Sequence, residues 1–454
     1  MATRLNITIG ILLGAFALSG QSKISLDNSD RMTVVQTDSS SVTFLVGHVQ
    51  MHNHEGVFSC DSALWWRASE RFDAFGDVRF RGKNGVRASS KQMRYEQGLL
   101  KLSDQVELRH GSQIMTGPRL NYHTANEEAT FTGRSLIRQG RDSLYANRGQ
   151  YDASQQIFRY QGDIKVLTED FDVACEQLNH WSEEEIMRIP VSGRAVRDSG
   201  FIQFGSAYMH DVEDLAIFRN GVYGQDGQDW FQSERMWHDQ RLDQIAMSGE
   251  SRWRQHGADG LEVRGDSLNL AESTTQGFGD IHLFVQNVSA RSEALHWDDA
   301  QDVLTLTGNP ELWTEGYFIR CTTLKLFRMA NDRDSIALTG PVLVLERTED
   351  SLYYHQMTGK SMTGWLNDMG PENLLLKGNA TALYHAGSDR VNVTQCAQIL
   401  LVFNEDEGTM VLDTMTFMQS PDGTVDGDPS QTLDGFVDHF DDRPSRIDWI
   451  SGLK

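Results

Sequence analysis

Hydrophobic and polar residues alternate along most of this chain in short segments. In residues 73–80 the apolar or small side chains occupy the even positions, and the charged ones fall mainly on the odd positions. Residues 100–108 repeat the alternation, with leucine and valine opposite lysine, serine, glutamine and glutamate. A period of two is that of a β-strand with one buried face, so the pattern predicts antiparallel strands.

Turn residues separate these segments. Glu55-Gly56, Lys83-Asn84-Gly85 and Gly111-Ser112 each lie between two alternating runs, which is typical of β-hairpins. The second strand of a hairpin often ends on an aromatic side chain. Examples are Trp66, Tyr95, Tyr122, Trp181, Trp297 and Phe327. The pattern therefore predicts one hairpin that is repeated many times along the chain.

A glycine marks the same place in nearly every repeat. Eleven of the twelve marked positions are glycine, and the steps between them are 28 to 32 residues, with a last step of 38. Glycine weakens a strand unless the strand must bend, so the repetition predicts a bend shared by all repeats. The marked positions are Gly47, Gly76, Asp104, Gly133, Gly162, Gly193, Gly221, Gly249, Gly279, Gly308, Gly340 and Gly378.

These features predict an all-β fold: an elongated repeat array of antiparallel hairpins that forms a semi-open β-jelly-roll. The alternative is a β-helix-like solenoid, in which each repeat is one coil. Polar turns at both ends of each strand pair favour hairpins. Alternation is poor between Gly193 and Gly249, which indicates a break in the array.

The N-terminus resembles an export signal. Arg4 precedes the short apolar run Ile7 to Leu18, and Ala17 and Ser19 are small residues before a predicted cut near Gly20 or Gln21. We therefore expect residues 1–20 to be a signal peptide and the mature chain to work outside the cytoplasm.

Charge and cysteine usage narrow the function further. The net charge of −23 argues against nucleic acid as a partner. Four cysteines are scattered along the chain without a CxxC motif, and three of them follow a marker glycine by 13 residues. Because equivalent positions in separate repeats cannot touch, we expect buried free thiols rather than disulfides or a zinc site. The four are Cys60, Cys175, Cys321 and Cys396.

Motifs that would indicate catalysis are weak. Gly359-Lys360-Ser361 resembles the end of a P-loop, but Tyr354 stands where the first glycine is needed. The segment His52 to His54 is predicted to be an exposed turn rather than a metal site, because no third ligand is near in sequence. We therefore expect no enzyme activity, no catalytic residues, no metal and no cofactor.

Several segments carry a resemblance to a known family. They are FLVGHVQMHNHEGVFSCDSALWW from Phe44, RFDAFGDVRFRGKNGVRASSKQMRYE from Arg71, and the run from Ala129 to Val166. The chain resembles the organic-solvent-tolerance family, the OstA-like or LptA-type lipopolysaccharide transport proteins, in a larger version of the Bacteroidetes type. The resemblance covers roughly residues 42–424.

The resemblance implies a periplasmic jelly-roll whose apolar interior holds the lipid A acyl chains of lipopolysaccharide in transit to the outer membrane. We expect outer-membrane association as well. Exposed edge strands at the two ends of the array should let other jelly-roll proteins join it by edge-strand pairing. The alternation makes these residues the candidate lipid-binding groove: Val49, Val78, Phe80, Leu102, Val106, Leu108, Ile164 and Val166.

The repeat pattern and the resemblance together predict the domain organisation of the chain. Residues 21–190 form an OstA-like N-terminal jelly-roll, residues 191–420 continue it with a break near 193–249, and residues 421–454 form an acidic C-terminal tail. Two other functions are left open: an extracytoplasmic structural scaffold and a β-helix carbohydrate-active protein.

Overall fold

The structure of the chain is a computed structural model. It describes residues 24–36, 41–52, 56–82, 85–96, 99–123, 128–152, 154–168, 171–197, 200–255, 260–285, 288–314, 316–328, 333–348, 353–367, 370–386, 390–406, 409–428, 430–434, 436 and 439–445. The predicted signal peptide lies outside these residues.

The chain divides into two compact units, each described below by itself. The N-terminal unit holds the residues up to Gly227 together with Trp237–Arg241, and the C-terminal unit holds Gln228–Met236 and the residues from Leu242 onward. The division runs through one strand, β18 (Asp229–Asp239).

The N-terminal unit contains seventeen strands and one 3-10 helix, η1 (Arg67–Ser69), among its described residues. The strands are β1 (Ser25–Asn28), β2 (Arg31–Gln36), β3 (Ser41–His52), β4 (Gly56–Trp66), β5 (Arg71–Gly82), β6 (Arg87–Glu96), β7 (Leu99–His110), β8 (Gln113–His123), β9 (Glu128–Gln139), β10 (Asp142–Asp152), β11 (Ile157–Leu167), β12 (Asp172–Trp181), β13 (Ile186–Ile189), β14 (Gly193–Arg197), β15 (Gly200–Phe204), β16 (Ser206–His210) and β17 (Leu215–Asp226).

The C-terminal unit continues the same pattern and ends with a second 3-10 helix, η2 (Phe440–Asp442). Its strands after β18 are β19 (Gln244–Arg254), β20 (Glu262–Ala271), β21 (Thr274–Val285), β22 (Val288–Asp298), β23 (Val303–Thr307), β24 (Glu311–Trp313), β25 (Tyr317–Arg320), β26 (Thr323–Phe327), β27 (Asp334–Arg347), β28 (Tyr354–Asn367), β29 (Gly370–His385), β30 (Val391–Asp406), β31 (Thr409–Met418) and β32 (Asp422–Gly427).

Consecutive strands pair as antiparallel hairpins in both units. From β3 to β12 each strand pairs with the strand before it and the strand after it, and β19 to β22 and β27 to β31 do the same. The predicted all-β fold of antiparallel hairpins is therefore confirmed. A parallel β-helix is not compatible with these pairings.

The marker glycines bend the strands as predicted. At Gly76 the register between β5 and β6 shifts between Phe75 and Val78, which is a β-bulge. Gly76 has φ +70°, and a Cβ there would overlap the carboxylate of Asp61 on the neighbouring strand. Asp104 takes the same left-handed conformation without glycine, at φ 63°, which aspartate tolerates better than most residues.

One marker behaves differently. Gly193 is not in the left-handed region; it begins β14 after a gap that contains Pro190. There the long partner strand β12 pairs with two short strands, β13 and β14, instead of one bent strand. The same splitting occurs at β23 and β24, whose gap contains Pro310. Proline cannot donate to the ladder, so the bend becomes an interruption at these two places.

The bends place one face of each strand inside its unit. Inward side chains on both halves of the strands are almost fully buried, for example Leu45, Val166 and Leu178 in the N-terminal unit and Leu338 and Ile399 in the C-terminal unit. Among the described residues, no helix is long and apolar enough to cross a membrane. Each unit is thus a β-jelly-roll whose core is the inside of the bend.

Candidate functional site

The interior of the N-terminal unit is built from continuous rows of cross-strand neighbours. The first row runs through the half of each strand near one set of hairpin turns. Each member lies directly opposite the next: Met51, Phe58, Phe80, Ala88, Leu108, Met115, Ile137, Leu144, Val166 and Val173. All ten side chains are buried.

The second row runs through the other half of the same strands, beyond the bend. Its members, again opposite one another in order, are Leu45, Ala63, Ala74, Met93, Leu102, Leu120, Phe131, Gly149, Tyr160 and Leu178. Phe58 of the first row packs edge-on against Phe72, which lies beyond the bend, with ring centroids 5.7 Å apart. The two halves therefore face each other across an apolar interior.

A column of small residues lies along the bend between the two rows. Each residue that follows a bulge on the glycine-bearing strands has a small partner across the ladder. The pairs are Val49 with Cys60, Val78 with Ser90, Val106 with Gly117, and Ile164 with Cys175. A small side chain leaves room for the two halves to approach where the sheet folds.

The serines and cysteines at this place in the repeats share one hydrogen-bonding pattern: the side chain donates to the backbone carbonyl two residues further along the same strand. Ser90 Oγ donates to the carbonyl of Gln92 at 2.9 Å, two residues on in its strand. In the C-terminal unit Ser233 and Ser292 donate to Arg235 and Ala294 in the same way, and Cys396 Sγ donates to Gln398 at 3.0 Å. These bonds satisfy backbone groups that the bulge removes from the ladder.

The cysteines fit this structural role. All four are buried and none is in a disulfide. Burial raises the pKa of the Cys60 thiol to about 11 and of Cys175 and Cys321 to about 12. The sequence prediction of buried free thiols is confirmed, and neutral thiols keep the interior uncharged.

All eight predicted groove residues lie in this interior. Phe80, Leu108 and Val166 belong to the first row and Leu102 to the second, and each is at most 5% exposed. Val49, Val78, Val106 and Ile164 are the residues that follow a bulge. The eight therefore belong to one continuous apolar surface, but side chains from the facing half cover it. Their contact with lipid stays a prediction.

The interior carries almost no charge. His180 is buried against Phe158, and burial lowers its pKa to about 4, so the ring is neutral near pH 7. Tyr160 is fully buried as well, which raises the pKa of its hydroxyl far above the ordinary value. Among the described residues, no group of three or more His, Cys, Asp and Glu side chains could hold a metal ion. The uncharged, apolar lining of this interior suits an apolar ligand.

Basic residues on the outside are paired with acids. Arg79, on the outward face of β5, donates to Asp77 at 2.7 Å. Arg71 and Arg94 both bind Asp73 at 2.9 Å. These contacts favour an ordinary solvated rim over a phosphate site at this place.

The apolar face is open where the array begins. All six residues of β2 are exposed, and among the described residues β2 pairs only with β3. Met32 lies opposite the inward Leu45, and Val34 lies opposite the inward Thr43, so both point to the interior side, yet each is more than half exposed. The row of inward side chains thus ends in an uncovered apolar edge, which the sequence alone did not reveal.

Comparison with known proteins finds a family match for part of the chain. No curated protein matches the chain. Residues 21–176, which include β1 to β11 and the first half of β12, match the family model described as OstA-like protein. The repeated hairpins and the bend at each marker accompany this match, so residues 21–176 are similar to the OstA-like family in both sequence and fold pattern.

Proposed function

We propose that this protein is a periplasmic carrier that binds lipopolysaccharide through its lipid A acyl chains and passes it toward the outer membrane. The OstA-like match over residues 21–176 supports a role in lipid transport. The acyl chains are held in the apolar interior of the N-terminal unit, and the protein performs no catalysis.

The observation that carries the proposal is the continuous pair of apolar rows. Ten consecutive strands, β3 to β12, each contribute one inward residue to each row. A fatty acyl chain needs apolar surface and shape but no fixed polar partner, which is what these rows offer. Each buried methylene contributes about 0.8 kcal/mol, so a chain of ~12 methylenes gains roughly 10 kcal/mol before ordering costs.

Burial of the rows determines how a lipid enters. Since the facing halves already cover one another, acyl chains have to separate them or start at an uncovered edge. Met32 and Val34 on β2 provide such an edge. We propose that lipid enters there first and that the two halves part as the chain advances.

The same edge is the proposed contact with partner proteins. A strand with a free edge pairs readily with a strand from another chain. Another jelly-roll protein that adds its edge strand to β2 would continue the inward rows across the junction. The edge-strand partner is therefore placed at the N-terminal end of the array.

Photocrosslinking from the exposed strand β2 tests the lipid site without disturbing the core. A photoreactive side chain at Val34 points to the interior side of β2, whereas one at Thr33 points to the opposite side of the same exposed strand. We expect capture of lipopolysaccharide from position 34 and little capture from position 33. A second pair, Val106 and the outward Glu107, tests the buried rows.

Equal capture from inward and outward positions, or no capture from any, contradicts the proposal. The substitution Val106→Asp adds a charge to the interior and should reduce capture from position 34, because a carboxylate against acyl chains is costly to bury. Circular dichroism of that variant separates loss of binding from loss of folding. A scaffold without lipid affinity, the second candidate function, predicts no capture at any position.

A further inference from the structure

The C-terminal segment of the chain folds back across the interior side of the C-terminal unit. We call residues 428–445 the strap. Beneath it runs a row of inward residues, each directly opposite the next on neighbouring strands: Phe284, Ser289, Trp313, Phe318, Leu345 and Gln356. The row is the counterpart of the apolar rows of the N-terminal unit, and all six residues are buried.

Polar contacts fix the path of the strap across these strands. The backbone N–H of Leu433 donates to Gln356 Oε1 at 2.9 Å. Trp313 Nε1 donates to the carbonyl of His439 at 2.9 Å. Arg443 Nε donates to Ser289 Oγ at 3.1 Å. The strap therefore crosses β28, β24 and β22 in that order.

Two aromatic side chains of the strap fill the space above the row. Phe440 lies 5.5 Å from Tyr354 and Phe436 lies 6.1 Å from it, measured between ring centroids. Both pack against the cluster of Trp313, Phe318, Leu343 and Leu345. They occupy the position that an apolar ligand would take over this row.

The strap also carries an anionic side chain, Asp441, directly after Phe440. Arg347 stacks on Phe440 at 4.4 Å and donates to Asp441 at 2.5 Å. The buried Nε of Arg347 has no hydrogen-bond partner among the described residues, so this cation has a spare donor. The strap thus presents an apolar part to the row and a carboxylate to an arginine, as an anionic amphiphile would.

The strap is only partly buried, although three hydrogen bonds fix its path. None of its described residues is fully buried, although the row beneath it is. Among its described residues, the one stretch of regular structure is the three-residue η2. The Asp441 side chain is 80% exposed, and ion pairs at such exposure contribute little to stability. Segments with few buried contacts open more easily than the core around them.

We propose that the strap is a displaceable occupant of an amphiphile site in the C-terminal unit. The row under Phe436 and Phe440 takes one acyl chain, and Arg347 takes the anionic group of the same ligand. This inference rests on the proposed lipid-carrying function and adds a second site with a gate. The strap closes the apolar row when no ligand is bound and leaves it when an anionic lipid arrives.

Dodecyl phosphate, below its micelle concentration, is the probe for this site. The full-length double variant Phe436→Ser/Phe440→Ser weakens the strap without removing the row, so it should bind the probe about tenfold more tightly than the wild type, which corresponds to about 1.4 kcal/mol. Adding Arg347→Gln to that variant should reverse the gain. Asp442→Asn is the matched control: Asp442 is exposed and adjacent to Asp441, and its replacement should leave affinity within twofold of wild type.

Hydrogen exchange gives an independent readout on the wild-type protein. Saturating probe should accelerate amide exchange in residues 428–445, including the Leu433 N–H that Gln356 holds. Unchanged strap exchange, equal affinity in the double variant, or an equal gain in Asp442→Asn would each overturn the inference. Capture of lipopolysaccharide from Val34 in the N-terminal unit is measured in parallel. Its loss counts against the carrier function, whereas its presence with an inert strap counts against the strap alone.

Discussion

Single residues at the bend decide whether each strand can fold. Gly76 needs both a left-handed backbone and the space that a missing Cβ leaves beside Asp61. Gly85 also has a left-handed backbone, at φ +81°, but nothing lies within 4 Å of the position of a Cβ. The two glycines therefore separate backbone strain from packing.

We predict that Gly76→Ala destabilises the protein more than Gly85→Ala. The left-handed conformation costs each variant about 1–2 kcal/mol, and only Gly76→Ala must also move Asp61. Urea unfolding midpoints measure the difference. The double variant Gly76→Ala/Asp61→Ala removes the overlapping carboxylate but keeps the Asp61 Cβ, so it should recover part of the steric loss. Equal losses in the two single variants would show that the bend is not tightly packed.

The cysteines give a second prediction at this scale. Because all four are free and buried, protein unfolded without reductant should bind four equivalents of an alkylating reagent. The folded protein should react slowly, since burial raises the pKa of Cys60 to about 11 and little thiolate forms near pH 8. Mass spectrometry counts the labels. Fewer than four labels after unfolding would indicate a disulfide.

A third prediction concerns pH. The folded-state pKa of His180, about 4, lies below the unfolded value of about 6.5, so the unfolded state binds the proton first. Stability from this group is therefore complete above pH 6.5 and is lost as pH falls toward 4. By pH 5 the loss is about 2 kcal/mol.

His180→Phe should remove that part of the pH dependence, because a phenyl ring can keep the packing against Phe158 without titrating. The measurement compares urea midpoints of variant and wild type at pH 7 and pH 5. The variant should gain relative to the wild type at the lower pH. A parallel fall of both proteins would mean that His180 is accessible to solvent in the folded state.

At the scale of strands, much of the fold could be predicted from the sequence. The period of two gave the strands, the turn residues gave the hairpins, and the repeated glycine gave the bend. These signals are local, and antiparallel hairpins are the fold whose contacts are most local among β-structures. Pro190 and Pro310 mark two of the places where a bent strand becomes two short ones; the splits between β15 and β16 and between β25 and β26 contain no proline.

Other features depend on which residues lie opposite each other on neighbouring strands, and the sequence alone does not show these cross-strand neighbours. The small-residue column is spread over Cys60, Ser90, Gly117 and Cys175, four residues with no common chemistry except size. A search for small residues at repeat spacing would have found it. The open edge at β2 and the strap over Trp313 could not be found this way, since both depend on what is absent or present on the far side of a sheet.

The exposed edge gives a prediction for β2 as an element. Replacing Met32 and Val34 together by lysine should weaken edge-to-edge association, because charges on an edge strand oppose pairing with another chain. Sedimentation velocity at several concentrations measures self-association, and the outward pair Thr33→Lys/Val35→Lys is the control with the same charge. Equal effects of the two double variants would point to general repulsion rather than to the apolar edge.

At the scale of the whole molecule, net charge acts against the proposed ligand. The chain carries −23, and lipopolysaccharide is anionic, so long-range electrostatics should slow their encounter. If binding rests on apolar burial, added salt screens this repulsion without weakening the contact itself. The Debye length falls from about 14 Å to about 4 Å between 50 and 500 mM salt.

We therefore predict that the rate of lipopolysaccharide capture from position 34 rises severalfold with sodium chloride over this range. Capture driven by a basic surface would fall instead, as it does for proteins that neutralise phosphates. Because salt also changes how lipopolysaccharide aggregates, dodecyl phosphate and the uncharged dodecyl maltoside, both below their micelle concentrations, serve as the paired probes. The anionic probe should associate faster in salt and the neutral one should change little. A fall for the anionic probe would show that cationic side chains, rather than the apolar rows, dominate recognition.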